Sequence, residues 1–459
     1  MPGRSMKPMT MPSRHARKEH IMFTYYLKLS LLSIKRNPIL STLMMAAIAV
    51  GIGAFMTMLT VYHVQSGNPL WHKNDVVYHP QIDMWNPDEP YRDDKPESGP
   101  DIYTYRDAMA LHQSDIPTYK AAMFKTGDVI QPESEEIAPF REVGRMTYND
   151  FFQIFDVPFR FGSAWDDRAD ENGDFVTVIS AEMNDKVFGG ENSIGKRIRI
   201  GDHEYLVTGV LDEWEPMPKY YDLTNGSFQT GEHFFLPFQL LHTLEAPRWG
   251  NTNCWKSEDY GNEYANFVNG ECIWISYWVQ LDTQQQQDDY RNFLAAYSQE
   301  QSDLGRSARP ENWALHTVEE WLEWNEVVGD DNRVLVGLSF LFLLVCLLNT
   351  VGLLLAKFMG RAGEISIRRA LGASRLAIFR QQIIECGMIG IFGGVIGIGL
   401  AALGVMAVAR MYDFDGPSTM DAQMIATAFI TALLASIAAG LWPAWQITRV
   451  PPAGYLKTQ

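Results

Sequence analysis

Cysteine is scarce in this 459-residue sequence, four in all, and the patterns that usually announce chemistry are missing too. The ten histidines never fall in H-x-x-x-H or H-x-H spacing, which removes the short metal motifs, and no G-x-S-x-G offers a nucleophile on a strained turn. Positive charge is in deficit: 38 Lys and Arg face 55 Asp and Glu, a net charge of −17 that argues against a nucleic-acid binder. One apparent phosphate loop, from Gly190 to Gly195 and Lys196, has G-x-x-x-x-G-K spacing. It is followed by Arg197, which has no hydroxyl for magnesium, and it leads into an expected strand where a phosphate loop leads into a helix. ATP hydrolysis would therefore have to come from a partner chain.

The absence that decides most is that of charge. Residues 39–62, 334–356, 386–409 and 422–448 contain no Asp, Glu, Lys or Arg over 24, 23, 24 and 27 positions. At a 1.5 Å rise each is long enough for a hydrocarbon core of roughly 30 Å, whereas core helices of soluble proteins seldom stay uncharged beyond about 14 residues. Four membrane spans follow. No Ala-x-Ala pattern closes the first, so it reads as a retained anchor and not a cleaved leader. Residues 1–38, the loop 357–385 and the last residues hold 16 bases and three acids, while 63–333 holds 21 bases and 49 acids. Positive charge marks the cytoplasmic side, so the basic segments lie inside and the acidic one outside.

The expected fold is an α-helical membrane protein with four transmembrane helices and a large α+β periplasmic domain. Its divisions are a tail and interfacial helix (1–38), a first span (39–63), the periplasmic domain (64–332), a second span (333–357) and a cytoplasmic loop (358–375). A third span (376–410), an outer loop (411–421), a fourth span (422–448) and a tail (449–459) complete it. The proline-rich first twenty residues read as a flexible tail, and from Ile21 the positions Met22, Tyr25, Tyr26, Leu29 and Leu32 fit an amphipathic helix with Lys28 and Lys35 near anionic headgroups. Asn37-Pro38 marks the bend into the span. A helix over 376–409 would be roughly 51 Å long, with Gly390, Gly393, Gly394 and Gly397 for close packing on a neighbouring span.

Outside, 175–179, the hairpin 197–200/204–210, 273–281 and 313–317 read as strands, and 181–187 and 290–299 as helices. The stretch 213–270, rich in Trp, Tyr, Gly and Pro, has no clear period and is expected as an irregular loop or subdomain. Its aromatic residues would make either a packed core or a binding surface. Cys254 and Cys272, both outside, stand where the compartment permits a disulfide; a bridge is expected, two free thiols being the alternative. Cys346 and Cys386 fall in or beside spans as small hydrophobes.

The loop between the second and third spans carries the most specific signal. Glu364 and Arg368 stand four apart in the order that supports a helix, Ile367 and Leu371 line one face, Gly372 ends the helix and Ser374 can cap the next. Arg369 is set to meet a partner carboxylate. The string Gly363-Glu-Ile-Ser-Ile-Arg-Arg-Ala-Leu-Gly-Ala-Ser374 resembles the signature loop of the MacB/FtsX family of ABC transporter permeases, departing at Ser366, where Gly is common. Ser33 to Pro38, Asn349, and Trp442-Pro-Ala444 with Pro452 and Leu456 are similar to the family as well. So are the exterior strings 151–159, 176–180, 188–190, 194–197 and 207–210.

The resemblance implies a permease subunit in a bacterial inner membrane, which passes motion from a separate ATPase dimer to its periplasmic domain (mechanotransmission) for efflux of a periplasmic substrate. It assigns Glu364, Ile365, Ile367, Arg368, Arg369, Ala370, Leu371, Gly372, Ala373 and Ser374 to ATPase coupling. Catalytic and metal residues are not expected, and ATP and magnesium would be held by the partner. The other implied partners are a second permease, identical or homologous, a periplasmic adaptor and an outer-membrane channel. The alternative output is a permease-like regulator that activates a cell-wall hydrolase or relays an antibiotic signal. A membrane-anchored periplasmic enzyme would have no use for the coupling loop. Reporters fused after Gly201 or at Gly416 should read periplasmic and one after Gln459 cytoplasmic; a cytoplasmic signal at Gly201 would overturn the topology.

Overall fold

The computed structural model describes residues 14–134, 136–229, 231–256, 264–327, 329–411 and 422–449. The expected tail motif at Pro452 and Leu456, and the outer loop 411–421 apart from Met411, lie outside them. The first helices are α1 (Arg14–Arg36), α2 (Pro38–Ser66), α3 (Tyr105–His112), α4 (Asp150–Ile154), α5 (Asp167–Asn172), α6 (Ala181–Phe188) and α7 (Leu240–Leu244). They are followed by α8 (Tyr264–Val268), α9 (Gln284–Asp303), α10 (Val318–Trp324), α11 (Asp330–Met359), α12 (Ala362–Ala370), α13 (Arg375–Met411) and α14 (Ala422–Thr448). The chain divides into two units, one of residues 1–63 with 329–459 and one of 64–328.

In the helical unit α2, α11, α13 and α14 are long and apolar enough to cross a membrane. Helix α13 runs unbroken for 37 residues, roughly 55 Å. Glycine lets its neighbours approach: a Cβ on Gly390 or Gly394 would meet Ser436 or Ala432 of α14, and one on Gly393 or Gly397 would meet Ile48 or Ile52 of α2. The glycine face thus packs within the chain, on two spans at once. The break at Asn37 separates α1 from α2, with Pro38 in the first turn, where its missing N–H costs nothing.

One expectation for α1 needs correction. It begins at Arg14, not Ile21, because past Pro12 the residues Arg14, Ala16, Arg17, Lys18 and Glu19 are good helix formers with no breaker among them. Tyr26, Ser30 and Ser33 are buried, while Tyr25 and Leu32, on the apolar face expected to lie on the membrane surface, are 55% exposed. On the inward side Ser33 meets charged groups, described below.

The second unit is built on ten strands: β1 (Val77–Ile82), β2 (Tyr119–Gln131), β3 (Phe140–Thr147), β4 (Phe159–Gly162), β5 (Val176–Ile179), β6 (Arg197–Ile200), β7 (His203–Leu211), β8 (Phe234–Pro237), β9 (Ser276–Gln280) and β10 (Trp313–Thr317). They join in one sheet of order β10-β1-β9-β2-β3-β8-β5-β7-β4, with β6 on β2 and β7. Most pairs are antiparallel, β3–β8 and β5–β7 being parallel. Neighbouring residues alternate between two cores: Tyr78, Phe124, Phe234 and Tyr277 enter one, and Val77, Met123, Phe235 and Trp278 the other. Where both faces are covered, apolar residues fill successive positions, as in Phe234, Phe235 and Leu236 of β8, while β6 keeps the alternation of a half-exposed strand.

Among the described residues, 213–270 is largely irregular, as expected, but it is not a separate subdomain, since β8 lies inside the sheet, pairing with β3 and β5. Its aromatic residues Tyr220, Tyr221, Phe234, Phe235 and Phe238 are core, not surface. A buried charge cluster fastens the excursion. Arg145 of β3 binds Asp222 and donates from Nε to Glu232 at 3.0 Å, Lys219 reaches Glu232 at 2.7 Å, and the Tyr221 hydroxyl donates to it at 2.9 Å. Burial works to raise the Glu232 carboxyl, but the charges of Arg145 and Lys219 overcome it and hold that carboxyl well below the ordinary range. Cys254 and Cys272 are joined by a disulfide that closes the excursion on the segment entering β9.

Helix α9 starts at Gln284, six residues before the expected Tyr290, because Thr283 and Gln286 form a capping box that a run of glutamines conceals. The phosphate-loop imitation leads into β6, with Gly190 and Gly195 at φ +79 and +82, the geometry of turns between α6 and a strand. Deleting 216–250 should remove β8 and with it the fold of this unit. Arg145→Met, which strands two buried carboxylates, should cost about 3–5 kcal/mol in thermal unfolding of the full-length protein. Because the Glu232 carboxyl is depressed on folding, its contribution is whole above the ordinary value of 4.5 and drains away as pH falls below it. Glu232→Gln should therefore be less stable at pH 7 and lose less stability between pH 5 and 3.

Candidate functional site

The short helix α12 lies between α11 and α13, enclosed by turns. At its end the Leu371 amide donates to the Ile367 carbonyl at 3.0 Å, and Gly372 adopts φ +101, a conformation that favours glycine. The Ser374 hydroxyl accepts the Ala377 amide at 3.2 Å and caps α13. Ala362, Ile365 and Ser366, spaced three and four apart, form the buried side. On the other side Ile367 is 50% and Leu371 84% exposed. Ala370, Gly372 and Ser374 are exposed with them, and Ala373 is half-buried. The helix thus turns two large aliphatic side chains away from its own protein.

Its orientation is held by charge. The Glu364 carboxylate pairs with Arg368 one turn on at 2.7 Å and with Arg361 at 3.4 Å. Arg36 of α1 also reaches it at 3.6 Å, from an exposed position that adds little. Arg368 donates to the Gln381 side chain of α13 at 3.2 Å. Arg369, expected to meet a partner carboxylate, donates from Nη1 to the Thr448 carbonyl at the end of α14, at 3.1 Å.

Beneath the helix sits a cluster that sequence reasoning missed. Glu385 of α13 is fully buried, and three donors reach it: Lys357 of α11 at 2.6 Å, Ser33 of α1 at 2.5 Å, and Arg361, in the turn before α12, at 3.4 Å. The Ser33 hydroxyl accepts from Arg361 at 2.7 Å. Lys357, also buried, donates to Ser41 of α2 at 2.9 Å, and Ser41 donates on to the Asn37 carbonyl at 2.8 Å. A charge this deep is tolerated only when paired and hydrogen-bonded. The available signal was the pair itself: Lys357 and Glu385 close the charge-free runs of two consecutive spans, a position where isolated charges are expensive. Among the described residues no cluster of His, Cys, Asp or Glu is placed to hold a metal ion.

Two family models match the chain: MacB-like periplasmic core domain over residues 41–294, and FtsX-like permease C-terminal over 336–452. The pyoverdine export ATP-binding/permease protein PvdT of Pseudomonas syringae is 24% identical over 310 residues, 67% of this chain and 42% of that protein. The macrolide export ATP-binding/permease protein MacB of Burkholderia lata is 24% identical over 304 residues, 66% of this chain and 39% of that protein. The chain therefore spans well under half the length of these relatives. Among solved structures, the periplasmic region of MacB from Actinobacillus actinomycetemcomitans overlays 55% of this chain and 94% of its own length at 10% identity and a TM-score of 0.33. With a core-domain match over more than half of the sequence and a permease match across the last three spans and α12, the chain belongs to the MacB/FtsX family of ABC transporter permeases.

Proposed function

We propose that this chain is the membrane subunit of an ABC-type transporter that turns ATP hydrolysis by a separate ATPase dimer into motion of its periplasmic domain. The observation that carries the reading is α12: a nine-residue helix between two spans, held by ion pairs on one side and presenting Ile367 and Leu371 outward on the other. Exposed aliphatic side chains at the tip of a clamped helix suit a cleft on a partner. Residues 361–374 hold basic side chains at Arg361, Arg368 and Arg369, which favours the cytoplasmic side and hence an inner-membrane location. The Cys254–Cys272 disulfide suits an oxidising exterior for the other unit.

In this reading ATP and magnesium belong to the partner, the chain performs no chemistry of its own, and Glu364, Arg361 and Arg368 keep the apolar tip in register with its socket. A second permease, the same or homologous, completes the complex, and a periplasmic adaptor and an outer-membrane channel extend it. Transmission needs a stiff element, and α13, continuous from the α12 turn, supplies one. The relatives named for pyoverdine and macrolide export point to efflux as the output.

Burying Leu371 in a partner cleft would contribute about 1.5–3 kcal/mol. Leu371→Asp should therefore weaken capture of the ATPase from solubilised membranes by at least tenfold, whereas Glu364→Gln, which loosens partly exposed pairs to Arg368, Arg361 and Arg36 but leaves both aliphatic side chains in place, should weaken it severalfold less. The ATPase purified alone should keep its basal hydrolysis. Unchanged capture by Leu371→Asp would falsify the coupling role of α12.

A further inference from the structure

We propose that Glu385 is a positioning residue that joins α12 to α1, α11 and α13, so that the ends of these helices move as one body when α12 is displaced. The proposal rests on α12 being the coupling helix and adds which helices receive its motion. A helix hung only on the turns at Gly360 and Gly372 would be free to rock. Instead, one buried carboxylate takes donors from Ser33 of α1, from Lys357 of α11 and from Arg361 at the start of α12. Lys357 carries the connection on to Ser41 of α2, and Arg368 adds a second link from α12 to α13 through Gln381.

Stability alone does not account for this arrangement, because well-packed apolar groups would stabilise a buried site as well or better. Fixed geometry does: each donor has a set direction, and the guanidinium of Arg361 meets Glu364, Glu385 and Ser33 together. Farther along, the α2–α13 contact changes character. Gly393, Gly397 and Gly404 lie against Ile48, Ile52 and Thr57, a seam of close van der Waals packing. Apart from a 3.4 Å hydrogen bond from Thr57 to the Ala401 carbonyl, that seam is uncharged apolar packing, so the charge-assisted, directional links are those at the Glu385 end.

Distances between spin labels on the full-length protein in lipid nanodiscs test this without the ATPase. Cysteines introduced at the exposed positions Leu371, Leu32 and Val395 report α12 against α1 (371/32) and α12 against α13 (371/395); native Cys346 and Cys386 are buried. Narrow distributions are expected in the parent. Glu385→Gln should broaden both at least twofold, and Ser33→Ala only 371/32. Should Glu385→Gln fail to fold, the paired change Lys357→Met with Glu385→Met removes both charges together and should broaden both distances likewise. Parent-like widths in the Glu385 variants, even with a lowered melting temperature, would overturn the proposal and leave a purely structural ion pair. Broad distributions in the parent would overturn it too. Failure of Leu371→Asp to weaken ATPase capture would instead remove the coupling reading while leaving these distances as measured.

Discussion

The helical unit depends on a charge that has nowhere to go. Glu385 has no access to water, and a bare carboxylate there would be untenable, so its surroundings are organised to satisfy it: a lysine, an arginine and a serine. That requirement explains features that look unrelated. It explains why α1 turns Ser33 toward the protein, why the bend at Asn37 is followed by a buried Ser41, and why Arg361 stands where α12 begins. Remove the carboxylate and Ser33, Lys357 and Arg361 lose the one group they share.

The same physics recurs in the second unit, where Arg145 is buried among Asp222, Glu232 and Lys219. In both places charges knit together segments that apolar packing alone would leave loosely specified: a nine-residue helix in one case, a long excursion without periodicity in the other. Apolar burial supplies most of the driving force, but it is non-directional, whereas a buried, multiply bonded ion cluster admits few arrangements. The two clusters differ in what they serve. One fastens a strand into a sheet; the other lies beneath the helix that leaves Ile367 and Leu371 exposed.

Much of the candidate site could be read in advance because its signals are local. The Glu364–Arg368 pair, the Gly372 stop, the Ser374 cap and the outward aliphatic face all follow from helical spacing over a dozen residues. The exterior hairpin around Gly201 and the α6 stop at Gly189 were legible for the same reason. Strand β8 was not, because it is four residues long, has no β-branched residue and is set in sequence without a period. The buried side of α1 was not, because its partner groups lie more than three hundred residues away.

The sequence by itself determined the four spans, their charge asymmetry, the short helix between two of them and the family resemblance, since each depends on composition or on spacing within one turn or one strand. Only the tertiary structure decided that 213–270 completes a sheet, that Arg369 is engaged within the chain, and that Ser33, Ser41, Lys357, Arg361 and Glu385 form one cluster. Those outcomes depend on which side chains meet across long separations, and a buried charge finds its partners through the packing of whole helices. Local patterns fix which elements form. Apolar packing and the pairing of buried charges fix how they are joined.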